Sequence, residues 1–434
     1  MAWLDPDRPF RPASVPFFYG WVIAGAATLG IAASIPGQTM GVSVFTDPLL
    51  GATGLSRLSL SNAYLVGTVC SGLLLPRGGT LLDRWGARGT AFFACSLLGV
   101  TLLLLSAVDG IIEHTHASLA FAITAALFFT LRFSGQGMLT LTSRTMVGKW
   151  FDRRRGLVTG LSGVFVAFAF AYAPVVLNEA IDAFTWRGAW RMMALVSGLS
   201  MGLVALLLFR DTPEACGLRM DGAPADEGQA TAEKHAPRAE FTRSEALRTR
   251  GFWAVTAALS SQALVITGVT FHIVDIGAQA GLDEDAAVAV FLPIAVVSTV
   301  AGLLGGWAAD RLPIKWMLVF MMSAQALGVV GATGLSTTPG YGAFVVGLGL
   351  SGGLFAPISL VALPRFFGRT HLGAISGTVS MCLVIGSAIG PTLLAASEDR
   401  LQSYRPALLA ALALPALASL LAVLSSEPKL VRSE

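Results

Sequence analysis

The sequence is short of charge: 13% of its 434 residues are charged, where a soluble domain carries roughly 25% to build a polar skin. With 54% of the chain hydrophobic, lipid must be the solvent for much of its surface. Nothing argues for nucleic acid, because the net charge is +3 and the basic residues sit in short clusters between apolar runs. Cysteine is scarce as well. Cys70, Cys95, Cys216 and Cys382 are far apart and lack metal-ligand spacing, so neither a disulfide framework nor a metal site is expected. The three that fall inside apolar runs read as small buried hydrophobes. The amino-terminal MAWLDPDRPFRPASVPFF has no h-region or cleavage site of a signal peptide, so the first apolar run is expected to remain in the chain. HExxH, CxxC and the GxxxxGK[ST] phosphate loop are missing, which argues against metalloprotease, dithiol redox and ATP-driven chemistry. No cofactor and no enzymatic activity are expected.

What the chain has is length of apolar run. A span needs about 20 apolar residues. Twelve candidate runs lie at 19–44, 59–80, 90–108, 118–146, 157–180, 190–209, 252–275, 286–309, 315–335, 341–364, 372–396 and 406–425. Gly (48) and Pro (20) suit packed membrane helices, with Pro36, Pro174, Pro293, Pro357, Pro391 and Pro415 inside the runs. The expected fold is an all-α integral membrane protein, twelve transmembrane helices in two pseudo-symmetric six-helix bundles. The expected divisions are a tail (1–18), a bundle (19–209), a polar linker (210–250), a second bundle (251–425) and a tail (426–434). Most of the 29 basic residues fall on one side when the amino terminus is placed inside, so both termini are expected in the cytoplasm. Near the linker's end, Thr242 and Glu245 have capping-box spacing ahead of a short amphipathic helix.

The two halves echo each other. GGTLLDRWGAR, with Gly79, Asp83, Arg84, Gly86 and Arg88, follows the second run. GGWAADRLPIK, with Gly306, Asp310, Arg311 and Lys315, follows the eighth at an offset of 227. A second echo pairs Gly156, Gly160 and Pro174 with Gly373, Gly377 and Pro391 at an offset of 217. Parallel six-helix repeats and a GxxxDRxGxR loop make the chain resemble the major facilitator superfamily along nearly its whole length. FYGWVIAG at 18–25, KWFDRRRGLVTG at 149–160, EALRTRGFW at 245–253 and RFFGRTHLGAISG at 365–377 are similar to bacterial relatives of the monocarboxylate and oxalate–formate carriers.

That resemblance implies a conformational latch in Gly79, Asp83, Arg84, Gly86 and Arg88, with Asp310 and Arg311 as its degenerate copy. Asp83 is placed to accept backbone N–H groups or sit at a helix N-terminus, and Arg84 and Arg88 to meet headgroups or acids. The alternative is topology alone, with positive charge holding a loop inside.

For a solute, the most informative residue is Arg132, deep in the fourth run. A cation there costs at least ~2.5–3.5 kcal/mol unless it meets water or a partner. The 217 offset places Gly349 opposite it, so the charge is not a scaffold feature shared by both halves. Gln136 and Thr140 follow on its helical face. Ser34 and Gln38 in the first run flank Pro36 and Gly37, and Tyr64, Thr68 and Ser71 form a stripe in the second. Arg132, Gln38, Tyr64 and Gln136 are the candidate solute ligands, against the alternative of interhelical glue. His272 and Asp275, one turn apart, are candidates for proton coupling, although both lie near a helix end where water suffices. Arg77 and Arg144 are expected to pair with loops or snorkel, and Phe165, Phe168, Phe170 and Tyr172 to pack.

The best-known carboxylate carriers that the chain resembles use a cation on helix 8, and the oxalate type adds a Lys on helix 11. Neither 286–309 nor 372–396 contains Lys or Arg, so a dicarboxylate would be under-neutralised, which leaves a monoanion or a neutral or zwitterionic solute open. The expected function is secondary active transport of a small monocarboxylate-like organic anion by alternating access, coupled to protons. Its partners would be the solute, protons and the bilayer, in a monomer in a bacterial cytoplasmic membrane. The alternative is proton-driven efflux of drugs or amphipathic metabolites.

Overall fold

The computed structural model describes residues 5–113, 115–222 and 240–425; all its regular elements are helices. The expected tail at 1–4, the middle of the linker at 223–239 and the tail at 426–434 lie outside the described residues. Among the described residues nine helices are long and apolar enough to cross a bilayer, preceded by the shorter apolar helix Gly20–Ala32. Two of the nine are too long for one crossing. Arg57–Leu105 has 49 residues, which at 1.5 Å each is roughly 70 Å. A hydrocarbon core is only about 30 Å thick.

Both long helices break. In the first, Gly86 takes φ 70°, ψ 172°. In the second, Arg155–Leu208, Thr185 takes φ 65°, ψ 165°. Among the described residues eleven spans and the shorter α1 result: α1 (Gly20–Ala32), α2 (57–85), α3 (87–105), α4 (Ala117–Trp150), α5 (155–184), α6 (186–208), α7 (Arg250–Phe271), α8 (Glu284–Ala309), α9 (Ile314–Ala332), α10 (Thr338–Phe367), α11 (Leu372–Leu401) and α12 (Arg405–Leu424). The chain is an all-helical membrane protein with the spans its apolar runs called for.

Gly86 suits its position, since only glycine enters that backbone region without a Cβ penalty. Thr185 does not, because a β-branched residue there costs about 1–3 kcal/mol. Thr185→Gly is therefore expected to raise the melting temperature of the detergent-solubilised protein by a few degrees. A lower melting temperature would mean that the long 3.4 Å hydrogen bond from Gly188 N to Thr185 Oγ1 outweighs the strain.

The chain divides into two compact units, each discontinuous in sequence. One comprises Met1–Asp152, Phe165–Lys234 and Leu372–Met381; the other comprises Arg153–Val164, His235–His371 and Cys382–Glu434. The first unit has a core around Phe45, Leu98, Leu102, Phe128 and Trp190, where the Phe45 and Trp190 rings stack at 3.9 Å. In the second, Val290, Val329, Phe344 and Leu348 hold the centre. At the start of the second unit the capping box closes as its spacing requires, with Glu245 N donating to Thr242 Oγ1 and Thr242 N to Glu245 Oε2. All four cysteines are free. Their burial departs from expectation: Cys95 is buried inside α3, but Cys70 is exposed, and Cys216 of the linker is the second buried thiol.

Candidate functional site

The polar cluster of the first unit begins with a broken helix. α1 stops at Ala32, a 3-10 turn covers Ile35–Gly37, and Gln38 is extended (φ −87°, ψ 158°) before Thr39–Ser43 resumes. Pro36 has no N–H to donate, so helix carbonyls lose partners here. Against this break lies a π-helical stretch of α4, Arg132–Leu139. Such wide turns in α-helices recur at functional sites. The two backbones touch: a Cβ added to Gly37 would stand 2.8 Å from Gln136 N.

Arg132, near the middle of α4, is 4% exposed. Its Nη1 donates to Gly37 O at 2.9 Å and lies 3.5 Å from Thr39 Oγ1. The guanidinium sits 5.2 Å from the centre of the Tyr64 ring, and Tyr64 donates its hydroxyl to Thr39 Oγ1 at 3.0 Å. Gln38 donates to Ser34 Oγ at 3.0 Å, and Thr140 donates to the same oxygen at 3.2 Å. The structure thus brings Ser34, Gln38, Tyr64, Arg132 and Thr140 together as the sequence suggested. Two buried atoms are left without hydrogen-bond partners, Arg132 Nε and Gln136 Oε1. Among the described residues Arg132 makes no ion pair. In the α2 stripe, Ser71 donates back to Thr68 O of its own helix, and Thr68 Oγ1 is buried without a hydrogen-bond partner.

Sequence reasoning missed Thr39, which joins Tyr64 to Arg132, and the π stretch. The Gly135-Gln136-Gly137 run is the signal that pointed nearest to the latter. Arg144 was expected to find a loop partner, yet among the described residues it has no hydrogen bond or ion pair. Phe165, Phe168 and Tyr172 were expected to pack but are 59–70% exposed.

The glycine and aspartate anchors of the two sequence echoes meet as pairs. In the first unit, Asp83 accepts Gly373 N and Ala374 N, both at 2.8 Å, at the start of α11. In the second, Asp310 accepts Gly156 N at 2.8 Å and Leu157 N at 3.3 Å, at the start of α5. Each carboxylate occupies a helix N-terminus, where free N–H groups and the helix dipole favour negative charge. Burial pushes the Asp310 carboxyl up from its ordinary range, against the pull of its two amide bonds and Arg155. The approach depends on missing side chains: a Cβ on Gly79 would stand 2.0 Å from Gly373 O, and one on Gly156 would stand 1.9 Å from Gly306 O.

Of the arginines in these loops, Arg84 is exposed, while Arg311 lies over the Trp307 ring and caps Trp307 O at 3.0 Å. Arg88 departs from the expected headgroup contact. It is buried beneath the amino-terminal segment and donates to Phe209 O, Asp5 O and Arg8 O, which lack helical partners.

His272 sits in the gap between α7 and a short helix, Ile273–Gln279. Its Nδ1 is 3.8 Å from Asp275 Oδ2. Two GxSxG strings occur, Gly198 to Gly202 in α6 and Gly349 to Gly353 in α10, but both are helical and neither is the strand-to-helix turn that exposes a catalytic serine.

Residues 26–391 match the family model for the Major Facilitator Superfamily. The chain belongs to that superfamily. It is 29% identical to mouse monocarboxylate transporter 11 over 338 residues, covering 75% of this chain and 69% of the relative. Bovine monocarboxylate transporter 13 is 25% identical over 392 residues, 89% of this chain and 84% of the relative. The solved structure of the proton:xylose symporter XylE superposes with a TM-score of 0.66 at 17% identity, covering 93% of this chain and 94% of that one. At that identity the likeness establishes the fold alone. This superfamily member is a multi-pass membrane transporter and not an enzyme.

Proposed function

We propose that this transporter carries a small organic anion of the monocarboxylate class by proton-coupled alternating access. Arg132 pairs with the carboxylate, and Gln38, Tyr64 and Gln136 surround it. The observation that carries the reading is the state of Arg132: buried, without a carboxylate partner, and with Nε unsatisfied. A buried cation without a counter-ion is costly, and a bound carboxylate supplies both the charge and the missing acceptor. A single cation within this cluster suits a monoanion better than a dianion. The monocarboxylate transporters among the relatives agree with that class.

The same reading places proton coupling at His272 and Asp275. It gives Asp83 and Asp310, with Gly79, Arg84, Gly86, Arg88 and Arg311, the role of ties remade as the carrier changes state. The transporter then works as a monomer in a bacterial cytoplasmic membrane, with both termini inside and the polar linker holding to the basic side.

Thermal stability of the purified chain against lactate, succinate and a cationic dye tests the substrate class. A ligand at 100 times its Kd adds about 2.7 kcal/mol to the folded state, so lactate is expected to raise the melting temperature by several degrees. Stabilisation by the dye and not by lactate would replace this reading with efflux.

A further inference from the structure

Three elements of the second unit converge on one imidazole. His272 Nε2 lies 3.0 Å from Pro391 O of α11. On the other side of the ring, Nδ1 lies 3.3 Å from the hydroxyl of Tyr404, which stands at the start of α12. That hydroxyl is also 3.4 Å from Asp275 Oδ2. A carbonyl only accepts, so Nε2 carries the proton in the neutral ring and Nδ1 faces the hydroxyl as an acceptor.

Tyr404 is 5% exposed, and its backbone N–H is held by Gln279 Oε1 at 3.2 Å. Burial, followed by the charges of Asp275, Glu398 and Asp399, pushes its phenol up to about 12. The hydroxyl therefore stays neutral, able to donate and accept at once. Asp275 is exposed to solvent. The titratable and charged groups around the ring are thus Asp275 from the short helix, Tyr404 from α12, and Glu398 and Asp399 from the end of α11 acting through Tyr404.

We infer that His272, Tyr404 and Asp275 form a proton-loading site, in which the Tyr404 hydroxyl passes a proton between the exposed Asp275 carboxylate and the half-buried imidazole. The inference rests on the proton-coupled reading above and deepens it by adding Tyr404. In the loading step a proton taken from water by Asp275 moves to Tyr404 Oη as the phenol's own proton moves to His272 Nδ1. Asp275 returns to carboxylate, the phenol remains neutral and the ring becomes imidazolium. Its two N–H groups then donate to Pro391 O and Tyr404 Oη, so loading breaks no hydrogen bond. Charge-assisted bonds are roughly twice as strong as neutral ones, so the loaded ring holds α7, α11 and α12 together more firmly.

Two measurements on the full chain test this. The first is 15N NMR of histidine-labelled protein, where His272→Gln identifies one signal pair among five histidines. The neutral ring should be the Nε2–H tautomer, as its bond to Pro391 O requires. Tyr404→Phe should move the Nδ1 resonance to that of a nitrogen without a donor. A neutral ring protonated at Nδ1, or one unmoved by Tyr404→Phe, overturns the proposal whatever the substrate proves to be.

The second measurement compares lactate accumulation driven by a pH gradient with lactate exchange at equal pH in proteoliposomes. In His272→Gln and Tyr404→Phe the ratio of accumulation to exchange should fall about tenfold or more. An unchanged ratio, with both processes lost in parallel or both retained, overturns the relay and leaves the carrier reading standing. Wild-type protein that exchanges lactate but never accumulates it under the gradient overturns proton coupling and the relay with it.

Discussion

Replacing Arg132 with Gln is expected to weaken lactate binding about a hundredfold, because a charge-assisted hydrogen bond contributes roughly 1.5–3 kcal/mol. The ligand-free protein should hold its melting temperature or gain a little. Two terms compete there. Removing a buried cation with no ion pair relieves a cost of about 2.5–3.5 kcal/mol, while losing the donor to Gly37 O leaves one carbonyl of the broken α1 less satisfied, at about 1–3 kcal/mol. The first term is the larger if the guanidinium is dry, and the two cancel if water reaches it. A purely structural arginine, present to staple α1 to α4, behaves in the opposite way: the ligand-free melting temperature falls by several degrees and any lactate shift survives. Measuring both temperatures on one pair of proteins separates the two roles.

Asp83→Asn is expected to slow transport about tenfold to a hundredfold with little change in protein abundance. The carboxylate accepts two adjacent amides at the start of α11, each at 2.8 Å. The amide side chain keeps one acceptor and turns an N–H₂ group against the second N–H, so one charge-assisted bond is lost and a donor faces a donor. A loss of about 1.5–3 kcal/mol at a tie remade in every cycle shifts the balance of states by ten- to a hundredfold. Asp310→Asn should act in the same direction but less strongly, since its second bond, to Leu157 N, is already 3.3 Å long. Initial rates normalised to protein in the membrane check both variants. Rates that fall only in proportion to abundance would reduce these carboxylates to folding determinants.

Much of this fold was legible because lipid imposes a coarse rule. A run of apolar residues long enough to cross must satisfy its own backbone, so it must be a helix, and the runs could be counted. The two breaks were read from the same lengths, and Gly86 marks one of them. Thr185 marks the other with no local signal, because its backbone is forced by the connection it makes. The repeat was legible too, in Gly79, Asp83 and Asp310 and in Gly156 and Gly373. What the spacing did not contain was that each aspartate of one echo would meet the glycine of the other, 290 positions away for Asp83.

The solute cluster divides in the same way. Arg132 stood out because a lone cation in an apolar run is expensive, and Gln38 because it follows Pro36-Gly37. Thr39, an ordinary residue in sequence, gains meaning only through the Tyr64 hydroxyl and the Arg132 guanidinium beside it. Tyr404 is one of five tyrosines and carries no pattern, yet packing places it between His272 and Asp275, 132 and 129 positions away.

Composition and periodicity alone therefore determined the solvent, the helices, their number and the duplicated plan, since each follows from the transfer of local segments into lipid. Tertiary structure alone decided which carboxylate caps which helix, which polar atoms remain unsatisfied and which hydroxyl bridges the histidine. Those depend on contacts between segments hundreds of residues apart, where close packing selects one partner among many that local sequence leaves equivalent.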